Sequence, residues 1–195
     1  MVVKSESAIK PWMWALGSLV LLALLIVGWF VLSYNNLVSL SFTVDKTWSN
    51  VQTDYQRRFD LIPNLVEAVK GIVKQEQSVF IEVANLRSQW QSAGSVDEKM
   101  KIAQQSDGAL GRLIAVAENY PDLKSSQNFL ALQDQLEGTE NRITVARQRY
   151  NEAVTAYNIK TRTIPSSIVA SVFGFREKQL FESVAGSEQA PSVKF

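Results

Sequence analysis

Four charged side chains are the candidates for chemistry in this chain. Arg58 and Glu76 interrupt an apolar helical stripe, and Glu140 and Arg147 lie beside the apolar stripe of a later helical segment. Two carboxylates and two guanidinium groups could bind a small charged ligand, as in a sensory helical bundle. They could also pair with one another, because an unpaired charge between helices is costly and a paired one sets the alignment of the helices. We favour pairing, and ligand binding is the alternative.

The composition removes most catalytic chemistry. Neither cysteine nor histidine is present, so thiol nucleophiles, thiolate or imidazole metal ligands and the usual general base are missing. We therefore expect no enzyme, no cofactor and no metal site. The formal net charge is +1, with acids and bases interleaved along the chain, which does not match the basic surface that a nucleic-acid partner requires.

The helices that carry these charges are predicted from a repeated apolar stripe. Alternating steps of four and three residues, starting at Val44, meet an apolar residue at every position except Arg58 and Glu76. Because a step averaging ~3.5 residues keeps one helix face against a partner, the pattern is typical of a coiled coil or helical bundle. The apolar members are Val44, Trp48, Val51, Tyr55, Ile62, Leu65, Val69, Ile72, Val79, Val83, Leu86 and Trp90.

Pro63 lies in the middle of this stripe. Proline lacks an amide proton and disfavours helical geometry at the residue before it, so the helix either kinks there or ends near Asp60. We favour an end, although the stripe keeps its phase across the proline. The chain then has segments suited to an all-α fold, an antiparallel up-and-down four-helix bundle of long helices. These segments are 34–59, 63–91, 96–120 and 125–161.

A transmembrane helix is predicted at residues 11–33. Its uncharged core has the ~20 apolar residues that a bilayer requires, with tryptophans near both ends. A cleaved signal peptide is the alternative, but the apolar run exceeds the about 7–15 residues of a signal core. Lys4 and Lys10 precede this helix and no base follows before Lys46. The positive-inside rule therefore favours a bacterial inner-membrane protein whose bundle lies outside the cytoplasm.

The other boundaries follow from turn and capping residues. We expect a short head at 1–10, the helical bundle at 34–183 and a loose tail at 184–195. Ser95 and Glu98 have the spacing of a capping box, which predicts the start of a helix.

An apolar run follows Ile164 and Pro165 near the end of the chain. Such a run could cap the open end of the bundle, contact a second subunit or lie on the membrane surface. The candidates for membrane or subunit contact are Ile168, Val172, Phe173 and Phe175.

Several motifs, in order, carry a family resemblance. They are RRFDLIPNLVEAVK from Arg57, ENYPDLK from Glu118, FLALQDQLEGTENRITVARQRYNEAV from Phe129, and YN at Tyr157. With these motifs the chain resembles the LemA family of bacterial membrane-anchored proteins, from Tyr34 to Phe181.

The resemblance implies a single-pass, mostly helical protein that takes part in organising the cell envelope. It also implies a membrane-embedded metalloprotease as a candidate partner, beside the lipid bilayer, other envelope proteins and a second copy of the chain. Relatives often carry a histidine where this sequence has Gln75, so a role that depends on that histidine is not expected here. We predict a membrane-anchored scaffold or interaction protein.

Overall fold

A computed structural model describes residues 11–70, 77–120 and 126–181, and within these ranges the chain forms five helices and no strand. This confirms the all-α prediction. The helices are α1 (Pro11–Lys70), α2 (Gln77–Ser92), α3 (Val96–Glu118), α4 (Gln127–Arg162) and α5 (Ser166–Phe173).

The predicted break near Asp60 is wrong, because α1 continues through Pro63 to Lys70. Pro63 is exposed, whereas Phe59, Ile62 and Leu65 on either side are almost completely buried. A break would turn the later part of the stripe away from the core. Burying an apolar side chain of this size is worth about 1.5–3 kcal/mol. The combined gain from keeping these side chains on one buried face outweighs the roughly 3 kcal/mol that proline costs inside a helix.

The first part of α1 has the character of a membrane span. It is the one helix among the described residues that is long and apolar enough to cross a membrane. Its large apolar side chains from Trp12 to Leu32 are exposed, apart from the half-buried Phe30. Exposure is the expected state of a surface that meets lipid rather than protein.

The contacts within the chain define two compact units. Among the described residues, the first comprises 11–42 and 156–177, and the second comprises 43–70, 77–120, 126–155 and 178–181. In the first unit, α5 packs on α1 through a small buried cluster that α1 and α5 share. Its members are Leu37, Val169 and Ala170, with Phe30 and Phe175 packed against them.

Helix α5 ends in a backbone conformation that only glycine adopts easily. Gly174 has a φ of 74°, in the left-handed region where a side chain would be strained. The turn allows the amide of Phe175 to donate a 2.9 Å hydrogen bond to the carbonyl of Ala170, which closes the helix end.

The core of the second unit is built from the predicted stripe. All its members from Val44 to Leu65 are buried, as are Val83, Leu86 and Trp90 of α2. The Trp90 ring lies 5.1 Å from the Tyr55 ring and 5.2 Å from the Phe59 ring, measured between centroids. The stripe therefore joins α1 to α2, with Val69 and Ile72 outside the residues whose side chains are described.

Helix α3 begins as predicted. The Ser95 hydroxyl accepts a hydrogen bond from the Glu98 amide at 3.2 Å, and the Glu98 carboxylate accepts one from the Ser95 amide at 3.3 Å. Both partners satisfy amides that a helix start leaves unpaired. The capping box thus separates α2 from α3 with only residues 93–95 between them.

Candidate functional site

A cluster of charged side chains lies in the second unit, where α1, α3 and α4 meet. The Arg58 Nη1 atom is 2.7 Å from Asp107 Oδ1 and 2.9 Å from Glu140 Oε2. The Arg147 Nη2 atom is 2.6 Å from Asp107 Oδ2. One carboxylate of α3 is therefore shared by guanidinium groups from α1 and α4. We call these four residues the Asp107 cluster.

The Asp107 cluster is largely withdrawn from water. The Arg58 side chain is 8% exposed and that of Asp107 18%, whereas Glu140 at 46% is open to solvent. The Arg147 guanidinium carbon lies 5.3 Å from the Tyr55 ring centroid and 5.1 Å from that of Phe181. Burial lowers the pKa of Arg147 from its usual value, but arginine remains a cation at neutral pH.

Of the sequence candidates, Arg58 and Glu140 pair with each other, and Arg147 is linked to Arg58 through Asp107. Glu76 lies outside the described residues. Sequence reasoning missed Asp107, the residue at the centre. The same alternating steps through Met100, Ala103 and Leu110 of α3 meet Asp107 between two apolar positions. A charge within the α3 stripe was the signal that could have identified it.

The Asp107 cluster has the geometry of a structural ion-pair network. Each Asp107 oxygen accepts from a different arginine, so the carboxylate ties α1 and α4 to α3. The open grooves between α1 and α4 and between α2 and α3 are lined by other residues. Among the described residues, no group of acidic side chains is arranged to hold a metal ion.

The stability contribution of Asp107 should depend on pH. Burial raises the pKa of Asp107 from 3.8 to about 6, against the lowering effect of Arg58 and with a further increase from Glu140. The folded protein then binds this proton more tightly than the unfolded chain. The contribution of Asp107 to the free energy of unfolding is therefore largest below its unfolded pKa and is lost as the pH rises through about 6.

Chemical denaturation of the parent protein and of Asp107→Asn, followed by circular dichroism, measures this effect. The parent-minus-variant difference in unfolding free energy should fall between about pH 4 and 6.5 and stay level above that range. A difference that grows with pH would show that the two arginines, rather than burial, dominate the pKa of Asp107.

A second feature is a segment after α5 that packs across α1 and α4 in the second unit. The Phe181 ring lies 5.9 Å from Trp48 and 5.7 Å from Tyr150 between centroids. The Asn151 side chain accepts from the Phe181 amide at 2.9 Å and donates to its carbonyl at 3.0 Å. Tyr150 also donates to the Gln179 carbonyl at 3.1 Å. Tyr150 and Asn151, which belong to the motif that starts at Phe129, thus hold this segment against α4.

The third feature is the outer surface of α5. Ile168 is 57% exposed and Val172 66% exposed, and one helical turn separates them, so they form one apolar flank. Phe173 is 51% exposed, and its ring touches those of Phe30 and Tyr34 at centroid distances of 5.8 and 4.6 Å. Phe175 is half-buried against the Leu37 cluster.

The described residues form helices, and one of these helices could cross a membrane, so the class is a helical protein with a candidate membrane span. A model of the LemA family matches residues 47–195. The chain belongs to the LemA family, as its motifs predicted.

Three relatives illustrate the similarity. Magnetosome protein MamQ 2 of Paramagnetospirillum magneticum is 28% identical over 182 residues, covering 80% of this chain and 67% of that protein. Magnetosome protein MamQ of Magnetospirillum gryphiswaldense is 26% identical over 183 residues, with the same two coverages. Protein LemA of Metamycoplasma hominis is 24% identical over 170 residues, covering 84% of this chain and 77% of that protein. These similarities, together with the apolar helix, support a membrane location.

Proposed function

We propose that this protein is a membrane-anchored helical scaffold of the bacterial cell envelope, acting through protein–protein and membrane-surface contacts rather than catalysis. The observation that carries the proposal is the position of α5. Phe173 contacts both Phe30, inside the predicted transmembrane helix at 11–33, and Tyr34, just beyond its end. A helix that packs against the end of a membrane-spanning helix lies at the bilayer surface.

The exposed flank of α5 then has lipid within reach. Complete burial of a side chain such as Ile168 or Val172 is worth about 1.5–3 kcal/mol, and α5 is already tethered by its buried side. Ser167 and Ser171 occupy the neighbouring part of its outer surface, which gives α5 an apolar and a polar flank. Such a helix suits a membrane interface.

Site-specific fluorescence in vesicles tests this contact, and the absence of native cysteine makes the labelling unambiguous. Full-length Val172→Cys and, as the matched control, Ser171→Cys would carry the same environment-sensitive dye in phosphatidylethanolamine–phosphatidylglycerol vesicles. Lipids with a spin label on the acyl chain should quench the dye at position 172 more strongly than at 171. Equal weak quenching at both positions, with disulfide cross-linking between copies of the unlabelled Val172→Cys protein, would assign the flank to a subunit contact instead.

The proposed orientation places the second unit outside the cytoplasm, because Lys4 and Lys10 precede the span. Ser92→Cys, at the exposed end of α2, should react with a membrane-impermeant maleimide in intact spheroplasts. Reaction only after the membrane is opened would establish the reverse orientation.

A sensory or small-ligand-binding function is the second candidate. Three buried donor atoms around the Asp107 cluster have no acceptor among the described residues: Arg58 Nε, Arg147 Nε and the Tyr55 hydroxyl. A small molecule or water could satisfy them. Purifying the full-length protein from its own membrane and identifying what accompanies it separates the two functions. Copies of itself, a membrane-embedded metalloprotease or another envelope protein would favour the scaffold, and a bound small molecule would favour the sensor.

The antiparallel order of the helices around this core stays a prediction. The short connection at residues 93–95 favours it for α2 and α3, because short loops join antiparallel neighbours. Distances between spin labels at the two ends of each helix would reveal a parallel pair if one exists.

A further inference from the structure

An open groove runs between α1 and α4 within the second unit, with a volume of about 610 Å³. Three arginines line it, Arg57 from α1 and Arg142 and Arg149 from α4, and all three are exposed. None of their guanidinium groups forms a hydrogen bond or an ion pair with another described residue. We call this surface the arginine groove.

The three arginines of the groove differ from three other arginines of the second unit, whose guanidinium groups are paired. Arg58 and Arg147 bind Asp107, and Arg112 lies 2.5 Å from Glu82. In the groove the three arginines share the lining with one acidic residue, Asp54. Each guanidinium offers five N–H donors and no acceptor, so the groove presents an excess of cationic donors to solvent.

The groove continues along the same two helices. A neighbouring groove shares Arg57 and Arg142 and extends to Asp60 and Asp134. The added pair of acids balances the charge there, so the excess of positive charge belongs to the end that contains Arg149. The two joined grooves therefore have a cationic end and a neutral end. A charged chain segment bound along them would have a preferred direction.

We propose that the arginine groove binds an acidic segment of a partner protein through the carboxylates of that segment. The planar guanidinium fork matches a carboxylate in a two-bond geometry. Arg142 and Arg149 are two helical turns apart, about 10 Å along the axis, and an extended peptide covers that length in about three residues. Val145, 45% exposed, lies between them and can contact the aliphatic part of a glutamate.

The charge density of the groove favours a peptide over a nucleic acid. Duplex DNA carries a charge about every 1.7 Å along its axis, whereas the groove offers three cations and interrupts them with Asp54. A peptide with spaced carboxylates suits this pattern better. The inference names a partner class for the proposed scaffold and rests on that function. Its test does not require α5 to touch lipid, so the two proposals can fail separately.

Fluorescein-labelled poly-L-glutamate, titrated with full-length protein in a neutral detergent and followed by fluorescence anisotropy, is the probe. The triple variant Arg57→Gln, Arg142→Gln, Arg149→Gln should weaken binding at least about tenfold, since each exposed ion pair contributes modestly and three are lost. The matched control, Lys101→Gln, Lys160→Gln, Arg176→Gln, removes the same charge elsewhere and should bind like the parent. Circular dichroism of both variants verifies the helical fold.

A second variant leaves the arginines in place. Val145→Glu introduces a carboxylate between Arg142 and Arg149, where it should compete with the probe and also weaken binding. Replacing the three arginines with lysine should give an intermediate affinity, because charge is kept and the fork is lost. Parent-like binding by the glutamine variant, or equal losses in that variant and its control, would overturn the proposal.

Discussion

Replacing Arg58 with alanine should lower the free energy of unfolding by about 3–5 kcal/mol, the range for breaking a buried ion pair. The Arg58 side chain is only 8% exposed and bridges Asp107 to Glu140. Without it, Asp107 keeps Arg147 as a partner, but one of its oxygens loses a 2.7 Å charged hydrogen bond in a buried position. The loss also removes the direct link between α1 and α3 at this level.

The matched control is Arg112→Ala. Arg112 pairs with Glu82 across α3 and α2, but their side chains are 56% and 44% exposed, so water replaces the lost contact and the effect should stay below about 1 kcal/mol. Chemical denaturation at about pH 7.5, followed by circular dichroism, compares the two variants. Equal stability of Arg58→Ala and Arg112→Ala, together with lost biological activity only in the former, would move Arg58 from a structural to a functional role.

Replacing Phe181 with alanine should also cost about 3–5 kcal/mol, the usual range for a buried phenylalanine. Phe181 is 7% exposed and contacts the rings of Trp48 and Tyr150. Its ring also covers the Arg147 guanidinium, so the substitution removes one wall of the Asp107 cluster. The Asn151 hydrogen bonds to the Phe181 backbone then hold a segment that has lost its apolar anchor.

Leu180→Ala is the control for this second prediction. Leu180 is adjacent in sequence but 43% exposed, and its truncation should change stability by less than about 1 kcal/mol. Limited trypsin digestion adds a local measurement, because Lys178 lies in the same segment and pairs with Asp45 at 2.7 Å. Cleavage after Lys178 should accelerate in Phe181→Ala and not in Leu180→Ala. Unchanged cleavage and stability in both would show that Phe181 does not anchor the segment.

Features that depend on near neighbours in the chain were predictable. The apolar stripe from Val44 to Trp90 is buried in the described residues, apart from the half-buried Val79, and the Ser95–Glu98 capping box forms. The apolar run after Pro11 is part of a helix that could cross a membrane. Helical periodicity and capping act over one or two turns, so the residues themselves carry the information. The family motifs were equally local, and they identified the LemA family correctly.

Pro63 shows where local reasoning was insufficient. The preference of a proline against a helix interior is local, whereas the gain from keeping Phe59, Ile62 and Leu65 on one buried face depends on the helices that cover them. The sequence contained both tendencies, and the unbroken phase of the stripe pointed to the second. Only packing against other helices decided that α1 continues to Lys70.

Tertiary structure alone decided which polar groups meet. Arg58 and Asp107 are 49 positions apart, and Asn151 and the Phe181 backbone are 30 apart. Arg57 of α1 shares a groove with Arg142 and Arg149 of α4 although no sequence pattern relates them. Spacing along a helix determines which side chains share its face, but the rotation and alignment of one helix against another come from packing of the whole core. Partners across helices are therefore a property of the folded chain.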